Sequence, residues 1–256
     1  ETFLMSQEEK KQAIEIIVEE VNGRVPVIAH IGSIGTKITT ELGMHAEKVG
    51  VDALSALPPF YYGFTNDEIF NYYTDISNST NLPITVYNIS HANLMDLDML
   101  KRLASIENVK GVKYTAPTHF NFSKIKKEIG ENFKIYSGMD EMALSGLISG
   151  ADGIIGSFYN LMPELFVALY ANIKQENINE AKKIQEKINI IILYALSKSG
   201  YPFIKMGMKW LNIDSGYVRK PFTNFVDKEI ENTIKNDLKK IADQNDLSGI
   251  KFLEAI

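Results

Sequence analysis

The chain has 256 residues, 45% of them hydrophobic and 23% charged, with a formal net charge of −5. That is ordinary globular composition, and the acidic balance gives no reason to expect nucleic acid or an anionic membrane surface as partner. Cysteine is absent, which excludes disulfides, thiolate metal sites and a cysteine nucleophile. The four histidines, His30, His45, His91 and His119, lack H-x-x-x-H or H-E-x-x-H spacing, so no metal site is expected. No run approaches the ~18 apolar residues of a membrane span. No basic-then-apolar leader opens the chain, and a cytoplasmic location is the default expectation.

The first predicted element is a helix over residues 7–21. Ile14, Ile17, Val18 and Val21 fall at helical spacing, Ser6 with Glu9 makes a capping box, and Asn22-Gly23 stops it. A continuous apolar strand follows over 25–31, then a helix over 36–49 ending at Gly50. Residues 52–57 read as a strand closed by Pro58-Pro59, 66–77 as a helix, 83–89 as a strand and 97–105 as a helix. The strand over 108–116, NVKGVKYTA, precedes a helix over 122–129. A strand over 133–137, a helix over 141–149, a short glycine-rich strand over 153–156 and a helix over 162–173 complete the alternation. Beyond Gln175 the strands stop. A long helix over 178–199 carries an apolar stripe (Ala181, Ile184, Ile188, Ile191, Ile192, Ala195), Gly200-Tyr201-Pro202 breaks it, and helices over 203–211 and 228–242 follow. The tail over 248–256 is too short to place.

Six strand–helix units in strict alternation, with near-continuously apolar strands, predict a parallel sheet buried on both faces. A spacing of roughly 25 residues per unit suits a TIM (β/α)8 barrel. No G-x-G-x-x-G opens a helix, which disfavours a dinucleotide-binding fold. The expectation is an α/β barrel over 1–175 that shows six of eight units, with a helical extension of three helices over 176–256. Because six units leave unpaired edges and the chain opens on a helix, about two further units are expected ahead of Glu1.

The strand over 108–116 sends Val109, Gly111 and Lys113 to one side and Val112 and Tyr114 to the other. A lysine on the inner side of such a strand is costly unless neutral or paired. Desolvation is also how an enzyme makes a lysine amine nucleophilic toward a carbonyl. The alternative is a lysine at a strand end reaching to water. In a βα-barrel the active site lies at the C-terminal ends of the strands. The residues there are Tyr87, Lys113-Tyr114-Thr115, Gly138-Met139-Asp140-Glu141 and Gly156-Ser157-Phe158-Tyr159-Asn160. Plainer readings stand beside each. Asp140-Glu141 also suits a helix N-terminus, Tyr87 a core tyrosine with a bonded hydroxyl, Gly156-Ser157 a tight turn with an N-cap, and Tyr61 an interface aromatic.

The succession YN, GVKYT, SGMDE and GADGIIGSFYN resembles the N-acetylneuraminate lyase branch of the dihydrodipicolinate synthase family, as do LPPFYYGFT and RKPF. The resemblance covers essentially the whole chain. It implies a cofactor-independent class I aldolase on a TIM barrel with three extra C-terminal helices. It implies cleavage of N-acetylneuraminate to N-acetylmannosamine and pyruvate, and a homotetramer. Carried over by residue, Lys113 forms the Schiff base and Tyr87 relays a proton between the substrate's C4 hydroxyl and its carboxylate. Thr115 contacts sugar hydroxyls, and Gly138, Asp140, Glu141 and Ser157 bind the polyol tail. Tyr61 reaches toward a neighbouring subunit, and Tyr201 approaches the pocket from the helical extension.

Two departures qualify the match. The family's Gly-Ser/Thr-Thr-Gly motif, which binds the pyruvate carboxylate, is expected to end where Glu1 begins. A polypeptide of these residues alone is therefore expected to be inactive or badly impaired. Residues 88–93, NISHAN, replace the family's proline and small-residue-Gly pair, and that loop reads as about two residues short. Dihydrodipicolinate synthase is the nearest rival, but its arginine after the strand tyrosine has no counterpart between Tyr87 and Lys101. Another 2-keto-3-deoxy sugar acid aldolase and an inactive regulatory or scaffold member remain alternatives.

Overall fold

The computed structural model describes residues 1–92 and 94–256. Asn93, part of the loop that sequence reads as shortened, lies outside the described residues. The chain forms two compact units: Thr2–Gly138 with Ser149–Gly153, and Glu1 with Met139–Ile148 and Ile154–Ile256.

The first unit alternates α1 (Gln7–Val21), β1 (Ile28–His30), α2 (Thr36–Val49), β2 (Ala53–Ala56), α3 (Asn66–Asn78), β3 (Ile84–Ile89), α4 (Leu97–Ala104), β4 (Val109–Thr115), α5 (Asn121–Ile129) and β5 (Lys134–Ser137). A two-residue β6 (Gly153–Ile154) ends the sheet order β1-β2-β3-β4-β5-β6, and each pair from β1–β2 to β4–β5 is parallel. Consecutive order with a helix in each crossover makes this a TIM-barrel-like α/β fold. Alternation sends Leu54, Val86, Val112 and Ile135, all fully buried, to one side. Register then puts His30, Ser55, Thr85, Tyr87, Gly111, Lys113 and Tyr136 on the opposite side.

Local chemistry sets the ends of these elements. The Ser6–Glu9 capping box forms as expected. A second box, Thr65 with Glu68, starts α3. β1 is shorter than the expected 25–31. Pro26 has no N–H to give, the Val27 amide is taken by Asp52 Oδ2 at 2.7 Å, and Val25 is exposed. At the start of β5, Asp152 Oδ2 accepts from the Ile135 amide at 2.8 Å and pairs with Lys126 Nζ at 2.7 Å.

The second unit holds α6 (Ala143–Ile148), α7 (Pro163–Lys174), α8 (Ile178–Ser197), α9 (Tyr201–Trp210), α10 (Lys228–Asn245) and α11 (Lys251–Glu254). The expected helix over 141–149 opens instead as a 3-10 turn, Asp140–Met142. α9 begins two residues before the expected 203, because Pro202 needs no hydrogen bond in a first turn. Ser199 and Gly200 take positive φ and turn the chain from α8 into it. α10 runs on to Asn245, and the tail forms the four-residue α11. Phe166, Ile188, Ile191, Phe203 and Phe252 centre its core. Among the described residues, no helix is long and apolar enough to cross a membrane.

Candidate active site

β4 delivers Lys113 in register with Tyr87 on β3 and Tyr136 on β5. Its neighbour Tyr114 goes the other way. The Tyr114 ring meets Phe122 of α5 at 5.4 Å, and its hydroxyl lies 2.8 Å from Thr118 Oγ1 and accepts from Asn121 Nδ2. Lys113 is thus turned away from the helices and half-buried. Its Nζ lies 4.0 Å from the Tyr87 ring centroid, a cation–π contact worth about 0.5–2 kcal/mol. The amine sits against the phenol that sequence pairs with it.

His30 on β1 completes this layer by meeting the Tyr87 ring edge-on at 6.0 Å. Burial, then the Lys113 and Lys10 cations, push its pKa from 6.5 down to about 4. The imidazole is neutral at physiological pH and adds no second positive charge beside the amine. Between pH 6.5 and 4 the unfolded chain binds the proton better than the folded one. The stability this residue confers is therefore full above about pH 6.5 and lost as pH falls toward 4, on the order of 3 kcal/mol in all. Urea melts over that range are expected to show an acid limb that His30→Leu flattens. An unchanged limb in the variant contradicts the assignment.

The C-terminal end of β5 needs a glycine. A Cβ on Gly138 would collide with Thr115 Oγ1 and lie 3.1 Å from Lys113 Cε. Without a side chain there, Thr115 and Lys113 can lie against the end of β5. Thr115 Oγ1 is buried, and among the described residues it has no hydrogen-bond partner. A buried hydroxyl in that condition suits a ligand that brings its own donor or acceptor.

Two residues further along the chain, in the second unit, Asp140 is buried and its Oδ2 accepts from the Phe158 amide at 2.8 Å. A Cβ on Gly156 would collide with the Asp140 carboxylate and the Tyr159 ring. The Tyr159 ring stacks on Phe166 at 3.8 Å. Burial, then the Asp140 and Glu141 carboxylates, push the Tyr159 hydroxyl well above its ordinary pKa, so it stays a neutral donor. Gly156→Ala is expected to displace Asp140 and destabilise the protein by about 1–3 kcal/mol, read as a lower urea midpoint with unchanged slope. A wild-type midpoint contradicts the close approach.

The structure therefore gathers Lys113, Tyr87, Thr115 and Gly138 in one unit, and packs Asp140 against Gly156 and Tyr159 in the other. Glu141 is exposed and Ser157 half-buried, its carbonyl accepting from Asn160 Nδ2. Tyr61 is 83% exposed at φ +80°, edge-on to Tyr62 at 4.9 Å. Tyr201 opens α9, about half exposed, edge-on to Phe222 at 5.7 Å. Sequence reasoning placed Tyr159 at a strand end without giving it a role, and gave none to His30 or Gln185.

The sequence profile of the dihydrodipicolinate synthetase family matches residues 1–241. Solved structures resemble the chain closely. The N-acetylneuraminate lyase of Fusobacterium nucleatum is 35% identical at a TM-score of 0.86, covering 95% of this chain and 82% of that one. A Ruminococcus gnavus sialic acid aldolase, solved as a catalytic lysine mutant, is 32% identical at a TM-score of 0.88, covering 93% and 80%. A dihydrodipicolinate synthase from Bacillus anthracis is 25% identical at a TM-score of 0.84, covering 91% and 80%. The chain belongs to the dihydrodipicolinate synthetase family and is a class I aldolase, a lyase, of that family.

Proposed function

We propose that the protein cleaves N-acetylneuraminate to N-acetylmannosamine and pyruvate through a Schiff base on Lys113. The observation that carries this reading is the Lys113 amine lying 4.0 Å from the Tyr87 ring on the adjacent strand. The amine adds to the C2 ketone of the open-chain sugar acid and water leaves, giving a protonated imine. Tyr87 takes the proton of the C4 hydroxyl and relays it to the substrate carboxylate. The C3–C4 bond breaks, its electron pair enters the iminium as an enamine, and N-acetylmannosamine departs as the aldehyde. The enamine then takes a proton at C3, and water hydrolyses the imine to free pyruvate and the lysine.

Thr115 contacts the sugar hydroxyls, consistent with its unpartnered Oγ1. Gly138, Asp140, Glu141 and Ser157 hold the polyol tail, since carboxylates accept bonds from neutral hydroxyls. Tyr201 approaches the same tail from the extension. In this reading the barrel occupies residues 1–175 and the extension 176–256, and the protein is a cytoplasmic homotetramer in which Tyr61 reaches a neighbour's site. The sugar-acid substrate is favoured over aspartate semialdehyde by the absence of an arginine between Tyr87 and Lys101. It is also favoured by higher identity to the lyase of Fusobacterium nucleatum than to the synthase of Bacillus anthracis.

Two assays on the full protein test this. Pyruvate release from N-acetylneuraminate is expected, with no condensation of pyruvate and aspartate semialdehyde. The reverse pattern overturns the substrate assignment while leaving the Schiff-base chemistry intact.

A further inference from the structure

We infer that Gln185, a buried residue of α8, is a positioning residue that sets affinity for the substrate's polyol tail. The inference rests on the reading that Asp140 and Glu141 hold that tail. Gln185 is only 7% exposed, yet it sits within an otherwise apolar stripe. Its Nε2 donates to the Asp140 carbonyl at 3.2 Å, and its Oε1 accepts from the Leu144 amide at 2.8 Å. One side chain thus ties both ends of the turn that presents Asp140 and Glu141. The Leu144 amide belongs to the first turn of α6, where helix geometry supplies no intrahelical acceptor. Gln185 is the acceptor, provided by a residue far along the chain. Asn189 Oδ1, one turn further on α8, accepts a second bond from Gln185 Nε2 at 2.9 Å. With both amide hydrogens committed and the oxygen facing an N–H, the amide has a single satisfied orientation.

The consequence is selective. Removing the amide leaves the Asp140 carbonyl and the Leu144 N–H without that partner, and the turn loses its fixed pose. Its two carboxylates then meet the sugar hydroxyls off-geometry. Formation of the pyruvate imine on Lys113, which uses no polyol contact, is untouched. Gln185 therefore acts through the Asp140–Glu141 turn and touches no reacting atom.

The test uses the full protein with Gln185→Leu, and Gln185→Glu as the variant that keeps the Leu144 acceptor and loses the donor to Asp140. Gln185→Leu is expected to raise KM for N-acetylneuraminate about tenfold, with kcat falling much less. Gln185→Glu is expected to fall between Gln185→Leu and wild type, and the rate of borohydride trapping with pyruvate is expected to stay at the wild-type value in both. Amide hydrogen exchange at Leu144 is expected to quicken in Gln185→Leu and to remain slow in Gln185→Glu. An unchanged KM, unchanged exchange at Leu144, or a trapping rate that falls in step with turnover overturns the inference. A variant that does not fold, with Gln185→Glu kinetically identical to wild type, overturns it as well and leaves Gln185 a core residue. A wild-type protein that traps pyruvate but does not cleave N-acetylneuraminate removes the substrate reading, and the tail's role with it. Exchange at Leu144 still reports on the lock in that case.

Discussion

Lys113→Ala is expected to lower turnover by at least a factor on the order of 10^4, the scale on which loss of a covalent nucleophile acts. No other group described beside the Tyr87 ring supplies a primary amine, and without the imine the C3–C4 bond would have to break to a free carbanion. The fold is expected to survive. Lys113 is half-buried, and the variant loses a cation–π contact of about 0.5–2 kcal/mol. A second consequence separates this change from general damage. Burial is the main cause of the depressed His30 pKa and Lys113 the first charge after it, so removing Lys113 shifts the low-pH end of the acid limb upward, and less stability is lost on acidification. A variant that melts like wild type at neutral pH, has no turnover and shows that shift fits the arrangement. Appreciable turnover contradicts it.

Tyr87→Phe is expected to reduce kcat by about 10^2- to 10^4-fold, the range over which one positioned proton-transfer group acts. The substitution keeps what the ring does for its neighbours. Lys113 retains an aromatic face at 4.0 Å, and His30 retains its edge-on contact. Only the hydroxyl is lost, and with it the proposed relay from the C4 oxygen. Imine formation with pyruvate does not need that relay, so covalent capture of pyruvate is expected to persist while cleavage fails. A variant with near-wild-type kcat contradicts the role given to the phenol. A variant that loses capture and cleavage together assigns Tyr87 to positioning the amine.

Much of this fold was legible because periodicity and punctuation agree. Strand–helix alternation gave the parallel sheet, and Ser6 with Glu9 marked the start of α1 to the residue. Thr65 with Glu68 carried the same signature for α3 and was readable in the same way. Element ends were less legible where a side chain competes for a backbone group. Asp52 takes the Val27 amide, and β1 shrinks to three residues.

At the site, the alternation in NVKGVKYTA indicated that Lys113 and Tyr114 face opposite ways, and the Tyr114 contacts with α5 bear that out. Gly156 was legible as a turn residue, but neither it nor Gly138 was legible as a close-approach position. That Gly138 makes room for Thr115, and Gly156 for Asp140, depends on side chains from other segments. His30 gave no local signal, since its neutrality comes from burial and from a cation on a different strand. Gln185 did carry one. A polar residue between Ile184 and Ile188 interrupts an apolar stripe, and a buried amide there must find partners.

The central claim is that the strand-borne amine carries the substrate. Borohydride reduction of the full protein in the presence of pyruvate, followed by peptide mass mapping, tests it most directly. One reduced pyruvate adduct per chain, on the peptide containing Lys113 and on no other lysine, is the result this account predicts. An adduct on a different lysine, or cleavage activity with no adduct at all, contradicts it.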